Sequence, residues 1–232
     1  MRSCAFGVSV TGPRHLDLTE PNQDAMGLNG WRGGWLASVA DGLGSRPRSA
    51  VGSRRACQVT RRVLRSYPHG NPLSGALRSI HEQWLEEIAP TPPDAAATTL
   101  LLASVTAQGD VRAAQMGDGL LLMRCAGEFH CITPERAGFG NQTWALESEH
   151  RPDRWATAEG RFTQPGDGVL LISDGVADDL DSKHLPDFLE ALYQDLAGRS
   201  RRNGRRWLRA ELEDWATPMH SDDKTLVAVF RT

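Results

Sequence analysis

The sequence predicts an α+β fold in which sheets lie between layers of helix. Three observations carry this. Residues 98–133 read as consecutive strands joined by tight turns. Helical stretches come in pairs, roughly 48–67 with 73–88 and 187–196 with 205–215. Apolar, strand-like runs stop on an aspartate followed by glycine, as in Trp35–Gly42 and Val169–Gly175. Sheets and helices with one apolar face each must cover one another, and hairpins with paired helices do so in stacked layers.

Taken in order, residues 4–10 alternate as a first strand, and Thr11 to Asn22 is a polar loop with Gly12, Pro13 and Pro21. Gln23 to Leu28 reads as a short strand, and Gly30 to Gly34 as a turn into the Trp35 strand. After a Gly/Ser/Pro loop to Arg48, Ala56, Val59 and Val63 form a stripe at helical spacing, with Pro47 placed where a first helical turn tolerates it. Gly70 to Pro72 breaks the chain. A second helix then carries Leu77, Ile80, Trp84, Leu85 and Ile88 on one side until Pro90, Pro92 and Pro93 end it. The strands Thr98–Ala107, Val111–Met116, Leu120–Cys125 and Glu128–Thr133 follow, with good hairpin turns at Gln108-Gly109-Asp110 and Ala126-Gly127. Pro134 to Arg161 mixes loop with two short strands, and Val169 to Ser173 is a buried strand. Asp187–Leu196 and Arg205–Trp215 are helical across a basic link at 199–206, and Thr225–Phe230 is the last strand.

Bulk properties bound the function. The chain has 232 residues, 40% of them hydrophobic and 24% charged, with a net charge of −3. That is an ordinary globular composition, large enough for a core without disulfides and consistent with one domain over 1–232. The negative balance argues against nucleic-acid binding by the whole surface. Cys4, Cys57, Cys125 and Cys131 have no zinc-ligand spacing. Cys125 and Cys131 flank a turn and could face each other, but four reduced thiols is the simpler reading. The first residues lack the apolar core of a signal peptide, and no apolar run approaches the roughly 18 residues of a membrane span. A cytoplasmic protein is expected.

The chemistry is in the acids. A strand that ends on aspartate presents the carboxylate at a fixed place on a sheet edge. Glycine beside it lets the backbone turn or approach a ligand closely. Asp41, Asp118 and Asp174 share this context, and Asp222-Asp223 precede the last strand. Their bland alternatives are a hairpin turn, best at Asp118-Gly119, or a helix cap at Asp41 and Asp174. Several such acids brought together would repel one another unless divalent cations neutralise them.

As an ordered set the motifs are more specific. Asn22-Gln23-Asp24-Ala25, Val39-Ala40-Asp41-Gly42-Leu43-Gly44, Ala97-Thr98-Thr99-Leu100, Gly117-Asp118, Ser173-Asp174-Gly175 and Asp222-Asp223-Lys224-Thr225 resemble, in sequence order, the signature of the metal-dependent protein serine/threonine phosphatases of type 2C. The resemblance implies a four-layer α-β-β-α sandwich, two antiparallel sheets flanked by helices, with the metals at one end. It implies two Mg²⁺ or Mn²⁺ ions and a third, looser one. Asp41 would bridge the pair, the Gly42 carbonyl, Asp174 and Asp222 would add ligands, Asp24 would lie in or next to the ligand set, and Asp118 would serve the third ion. It further implies hydrolysis of phosphoserine and phosphothreonine by a water or hydroxide between the metals. Hard oxygen ligands suit these ions, and two of them about 4 Å apart can clamp a phosphoryl group. The implied partner is a phosphoprotein, with a partner protein kinase as the activity it would oppose.

This chain also departs from the pattern. Gln23 stands where the family has Glu, Leu43 where some members have His, and Asp223 where Asn is usual. Arg14 and His15 lie further upstream than the family's phosphate-binding Arg, and remain the candidates for phosphate contact, with His15 also a candidate proton donor. These departures keep open a phosphatase-like binding or regulatory module with weak activity. The segment 134–161, with Asn141, Trp144 and Trp155, falls where the family has a variable flap that helps choose substrate. Arginines crowd 46–65 and 199–209, either as solvated helix faces or as a docking surface for an acidic or phosphorylated partner.

Overall fold

The computed structural model describes residues 2–134, 143–215 and 221–232. Two five-stranded antiparallel sheets stack face to face. The first has the order β1 (Ser3–Val10), β10 (Lys224–Arg231), β9 (Gly168–Ile172), β6 (Leu120–Cys125), β7 (Glu128–Cys131). The second runs β2 (Asp24–Trp31), β3 (Gly34–Asp41), β4 (Leu100–Val105), β5 (Asp110–Met116), β8 (Ala156–Arg161). Helices α2 (Ser49–Ser66) and α3 (Leu73–Ile88) cover the outer face of the second sheet. Helices α5 (Leu185–Leu196) and α6 (Arg201–Glu213) cover the outer face of the first. The expected four layers are therefore present.

Strand periodicity explains how the central strands serve three cores at once. In β3, Val39 points between the sheets while Leu36 and Ala40 point to the helices. In β4, Leu101 and Ala103 face inward and Leu100 and Leu102 outward. A strand covered on both faces needs apolar residues at every position, so these runs lack alternation. The middle core joins Leu121, Leu171 and Val229 of one sheet to Val39, Leu101 and Ala113 of the other.

Several sequence expectations change. The stretch from Leu100 to Cys131 is not one continuous set of hairpins. β4–β5 and β6–β7 are hairpins, but β5 and β6 lie in different sheets, so Gly117-Asp118-Gly119 carries the chain across the sandwich. Cys125 is opposite Glu128 and Cys131 opposite Leu122, so the two thiols do not face each other, and all four cysteines are free. The polar loop at 11–22 contains a short helix, α1 (Pro13–Asp17). Pro47 lies ahead of α2, not within its first turn. The basic link at 199–206 is mostly the first half of α6, which Ser200 caps through Asn203. Of the two short strands expected in 134–161, the described residues hold β8, preceded by a 3-10 turn at Pro152–Arg154. Asn141 lies outside the described residues. Among those described, no helix is long and apolar enough to cross a membrane.

One structural acid escaped the sequence reading. Asp167 is fully buried, and its carboxylate accepts the backbone N–H groups of Ala126, Gly127, Thr163 and Gln164. It ties the β6–β7 turn to the approach to β9. A carboxylate taking several amide bonds is strongly held, and its loss strands buried donors. Asp167→Ala should therefore lower unfolding free energy by about 3 kcal/mol or more in urea titrations, with Asp167→Asn retaining part of the difference.

Candidate metal centre

The acids converge at one end of the sandwich. Asp41 is the last residue of β3 and pairs in register with Asp24, the first residue of β2. Asp174 follows β9 as the first residue of α4 (Asp174–Ala177). Asp118 sits in the crossing between sheets. One carboxylate oxygen from each of Asp41, Asp118 and Asp174 lies within 4.8 Å of the others. The expected trio was Asp41, Asp174 and Asp222. The geometry instead places Asp118 in the tight group, while Asp222 clusters with His15 and Asp223. Asp222 is near enough for its charge to act on both Asp41 and Asp174.

Backbone and hydroxyl contacts fix each acid. The Asp41 carbonyl accepts bonds from the Thr99 amide and the Thr98 hydroxyl, both at 2.8 Å, and its own amide donates to the Thr99 hydroxyl at 3.0 Å. Gly42 continues this as a bridge to Thr98, and its amide donates to the Gln23 carbonyl. A β-carbon on Gly42 would lie 2.7 Å from the Ser49 backbone, and one on Gly175 would lie 2.1 Å from the Asp223 carbonyl oxygen. Glycine after each acid is thus required by close approach of neighbouring backbone, which a turn or capping role does not explain. Ser173 precedes Asp174 and donates its hydroxyl to Asp24 at 2.7 Å, while taking the Thr225 amide at 2.9 Å. The Thr143 hydroxyl donates to Asp118.

The electrostatics record the crowding. Burial pushes the Asp24 carboxyl up to about 7, against the hydroxyls of Thr225 and Ser173 and with help from Asp223 and Asp174. Asp174 is raised to about 6, first by burial and then by the charges of Asp118, Asp222 and Asp178. Asp41 is held well above the ordinary carboxylate range by burial, then by the charges of Asp24 and Asp174 and a side-chain contact with Asp174. Oδ1 of Asp24 and Oδ1 of Asp174 are buried without a hydrogen-bond partner among the described residues. Carboxylates this close, with buried lone pairs unfilled, are a donor set for hard divalent cations.

The upstream residues behave differently. His15 is 5% exposed, and its Nδ1 is 2.9 Å from Asp223 Oδ2. Asp223 also accepts the Gly12 amide at 2.8 Å and the Gln23 amide at 2.6 Å. Arg14 is exposed on α1. Gln23 accepts the Ser49 hydroxyl through Oε1 at 2.9 Å. The bracing by Ser173, His15 and Asp223 was not foreseen. Ser173 was readable from its place beside Asp174, but no spacing signalled the His15–Asp223 contact.

Comparison with known proteins gives the family and the fold. The family model described as protein phosphatase 2C matches residues 11–215. No curated protein matches the sequence. Among solved structures, the photosystem II phosphatase PBCP superposes with a TM-score of 0.70 at 15% identity, covering 100% of this chain and 99% of that one. The serine/threonine phosphatase Stp1 from Staphylococcus aureus gives 0.66 at 17% identity, covering 100% and 96%. The catalytic domain of the serine/threonine phosphatase PstP, in complex with two manganese ions, gives 0.66 at 20% identity, covering 98% and 97%. With its ordered motifs, two-sheet sandwich and carboxylate cluster, this chain belongs to the protein phosphatase 2C family.

Proposed function

We propose that the chain is a Mg²⁺- or Mn²⁺-dependent phosphatase that hydrolyses phosphoserine and phosphothreonine in proteins. The observation that carries this is the group of Asp41, Asp118 and Asp174, delivered by three separate segments with one carboxylate oxygen of each within 4.8 Å of the others. Asp41, Asp174 and Asp222, with the Gly42 carbonyl, would hold two ions. Asp118 would join them or hold a third, and Asp24 would stand behind Asp41. When bound, such ions offset phosphoryl charge and acidify water.

The chain's own residues set the conditions for that chemistry. Thr98 and Thr99 fix the Asp41 backbone, and Ser173 holds Asp24. Asp223 anchors the loop that carries Asp222 to Gly12, Gln23 and His15. That engagement supports a positioning role for His15, in place of the phosphate contact or proton donor expected of it. Exposed Arg14 is the remaining candidate for a phosphate contact. Leu43 supplies no proton at the position where some relatives have His, so the leaving alcohol takes its proton from solvent or another group.

Asp41→Asn and Asp174→Asn should each reduce Mn²⁺-dependent hydrolysis of p-nitrophenyl phosphate and a phosphothreonine peptide by at least about 100-fold, with weaker Mn²⁺ binding by calorimetry. The second reading, a phosphatase-like module with weak activity, is favoured by Gln23, whose neutral side chain is engaged by Ser49. Tight Mn²⁺ binding by the wild type without turnover would select that reading, and absence of Mn²⁺ binding would defeat both.

The raised carboxyls also set a pH dependence. In the metal-free protein Asp24 and Asp174 titrate at about 7 and about 6, against about 3.9 when unfolded. The folded state therefore binds more protons across this window, and stability must fall as pH rises through it. With EDTA the melting temperature should drop between about pH 5 and pH 7.5, since the carboxyls must ionise while shielded from water and beside like charges. With saturating Mn²⁺ the slope should flatten, because the metal-bound folded state holds those carboxyls deprotonated, as the unfolded chain does above about pH 5. Scanning calorimetry at matched ionic strength reads both slopes.

A further inference from the structure

β1 and β2 are the outermost strands of their two sheets, and they lie side by side on one flank of the sandwich. Helix α6 stands over β1, with Gly204 flush against Phe6, and α2 stands over β2. The flank is therefore a cleft with two strand edges as its floor and a helix on each side. Its α6 half is a depression of about 850 Å³ above Phe6, Met26 and Leu28, walled by Arg201, Arg202, Arg205, Arg206 and Arg209. Its α2 half, about 480 Å³, shares Met26 and Leu28 and is walled by Arg54 and Arg61. No acidic side chain lines either half. Arg209 is paired with Glu213, and Arg201 lies over the Trp35 ring. Among the described residues, Arg54, Arg61, Arg202, Arg205 and Arg206 make no ion pair.

We propose that this cleft docks an extended acidic segment of a protein partner, with carboxylates alternating with apolar side chains. An extended chain laid along β2 turns every second side chain the same way, so one set can reach Met26 and Leu28 while the other meets the arginines. β2 has β3 on one side and, among the described residues, no strand on the other, so its outward backbone groups are available to such a segment. Arginine walls select carboxylates by charge-assisted, forked hydrogen bonds. A bilayer surface cannot enter a concave floor, and a nucleic-acid duplex cannot use a strand edge or an apolar strip. Both therefore fit less well than a peptide.

The test is fluorescence anisotropy of a fluorescein-labelled dodecapeptide of alternating Glu and Val. Saturable binding should weaken as salt is raised. It should weaken at least about ten-fold in Arg54→Glu/Arg61→Glu and in Arg205→Glu/Arg206→Glu, since like charges now face the peptide. Both double variants should melt like the wild type and hydrolyse p-nitrophenyl phosphate at its rate, because the changed residues are exposed and outside the acid cluster. Equal binding of a Gln/Val peptide, or undiminished binding to both variants, would overturn the proposal. So would tighter binding to duplex DNA or to phosphatidylserine vesicles than to the peptide. Variants that self-associate while their peptide binding is undiminished would also overturn it, because the arginines would then serve only to keep strand edges apart. Peptide binding is read independently of catalysis, so an inactive wild type would leave this test intact.

Discussion

The structure depends on crowded carboxylates at one end of the sandwich, whose charges oppose one another. Asp24, Asp41, Asp118 and Asp174 come from four places in the sequence, and their mutual repulsion opposes the fold that gathers them. Each is therefore held by something other than its own charge. Asp24 and Asp41 face each other across the β2–β3 ladder. Thr98 and Thr99 grip the Asp41 backbone, and Ser173 bonds Asp24 while receiving the Thr225 amide. The braces are hydroxyls and amides, which leave carboxylate oxygens available and add no competing cation. A lysine or arginine in their place would pair with the carboxylates and neutralise the cluster.

The sequence made the layers and most strand boundaries legible because the relevant signals are local. Apolar runs, hairpin glycines and proline stops fix β3, β6, α3 and β9 to within a residue or two. What remained hidden was long-range. Asp118-Gly119 looks like a hairpin turn because strand, Asp-Gly, strand is the pattern a hairpin uses. Only the sheet assignment shows that the next strand belongs elsewhere. Nothing in the spacing of His15 and Asp223, 208 residues apart, signals their contact. Asp167 was missed for the opposite reason, since an acid between glycines reads as a turn until its four amide donors are seen. The candidate acids could be listed because their order resembles a family. Their grouping into Asp41–Asp118–Asp174 and His15–Asp222–Asp223 needed coordinates.

The second group gives a physical account of one departure from the family pattern. Asp223 stands where Asn is usual, and all three of its contacts are ones an acceptor makes: the amides of Gly12 and Gln23, and the His15 ring nitrogen. An Asn amide would offer one acceptor oxygen and turn two donors toward these groups. With a carboxylate here, the chain needs a donor on His15 Nδ1, and the α1 helix holds the ring buried in reach. Asp223 and His15 thus form a matched pair, with Arg14 exposed beside His15 on α1.

Charge is distributed as unevenly as the sequence suggested, and the fold explains where it goes. The acids that matter are drawn to one end of the sandwich. The arginines of α2 and α6, far apart in sequence, flank the two open strand edges. Open edges invite pairing with other chains, and uncompensated cations beside them repel a second copy of this protein while attracting an acidic chain. One arrangement therefore meets both needs. A ring of paired arginines would lose both properties, so the absence of acids from the 18 residues of α2 has a consequence that counting net charge conceals.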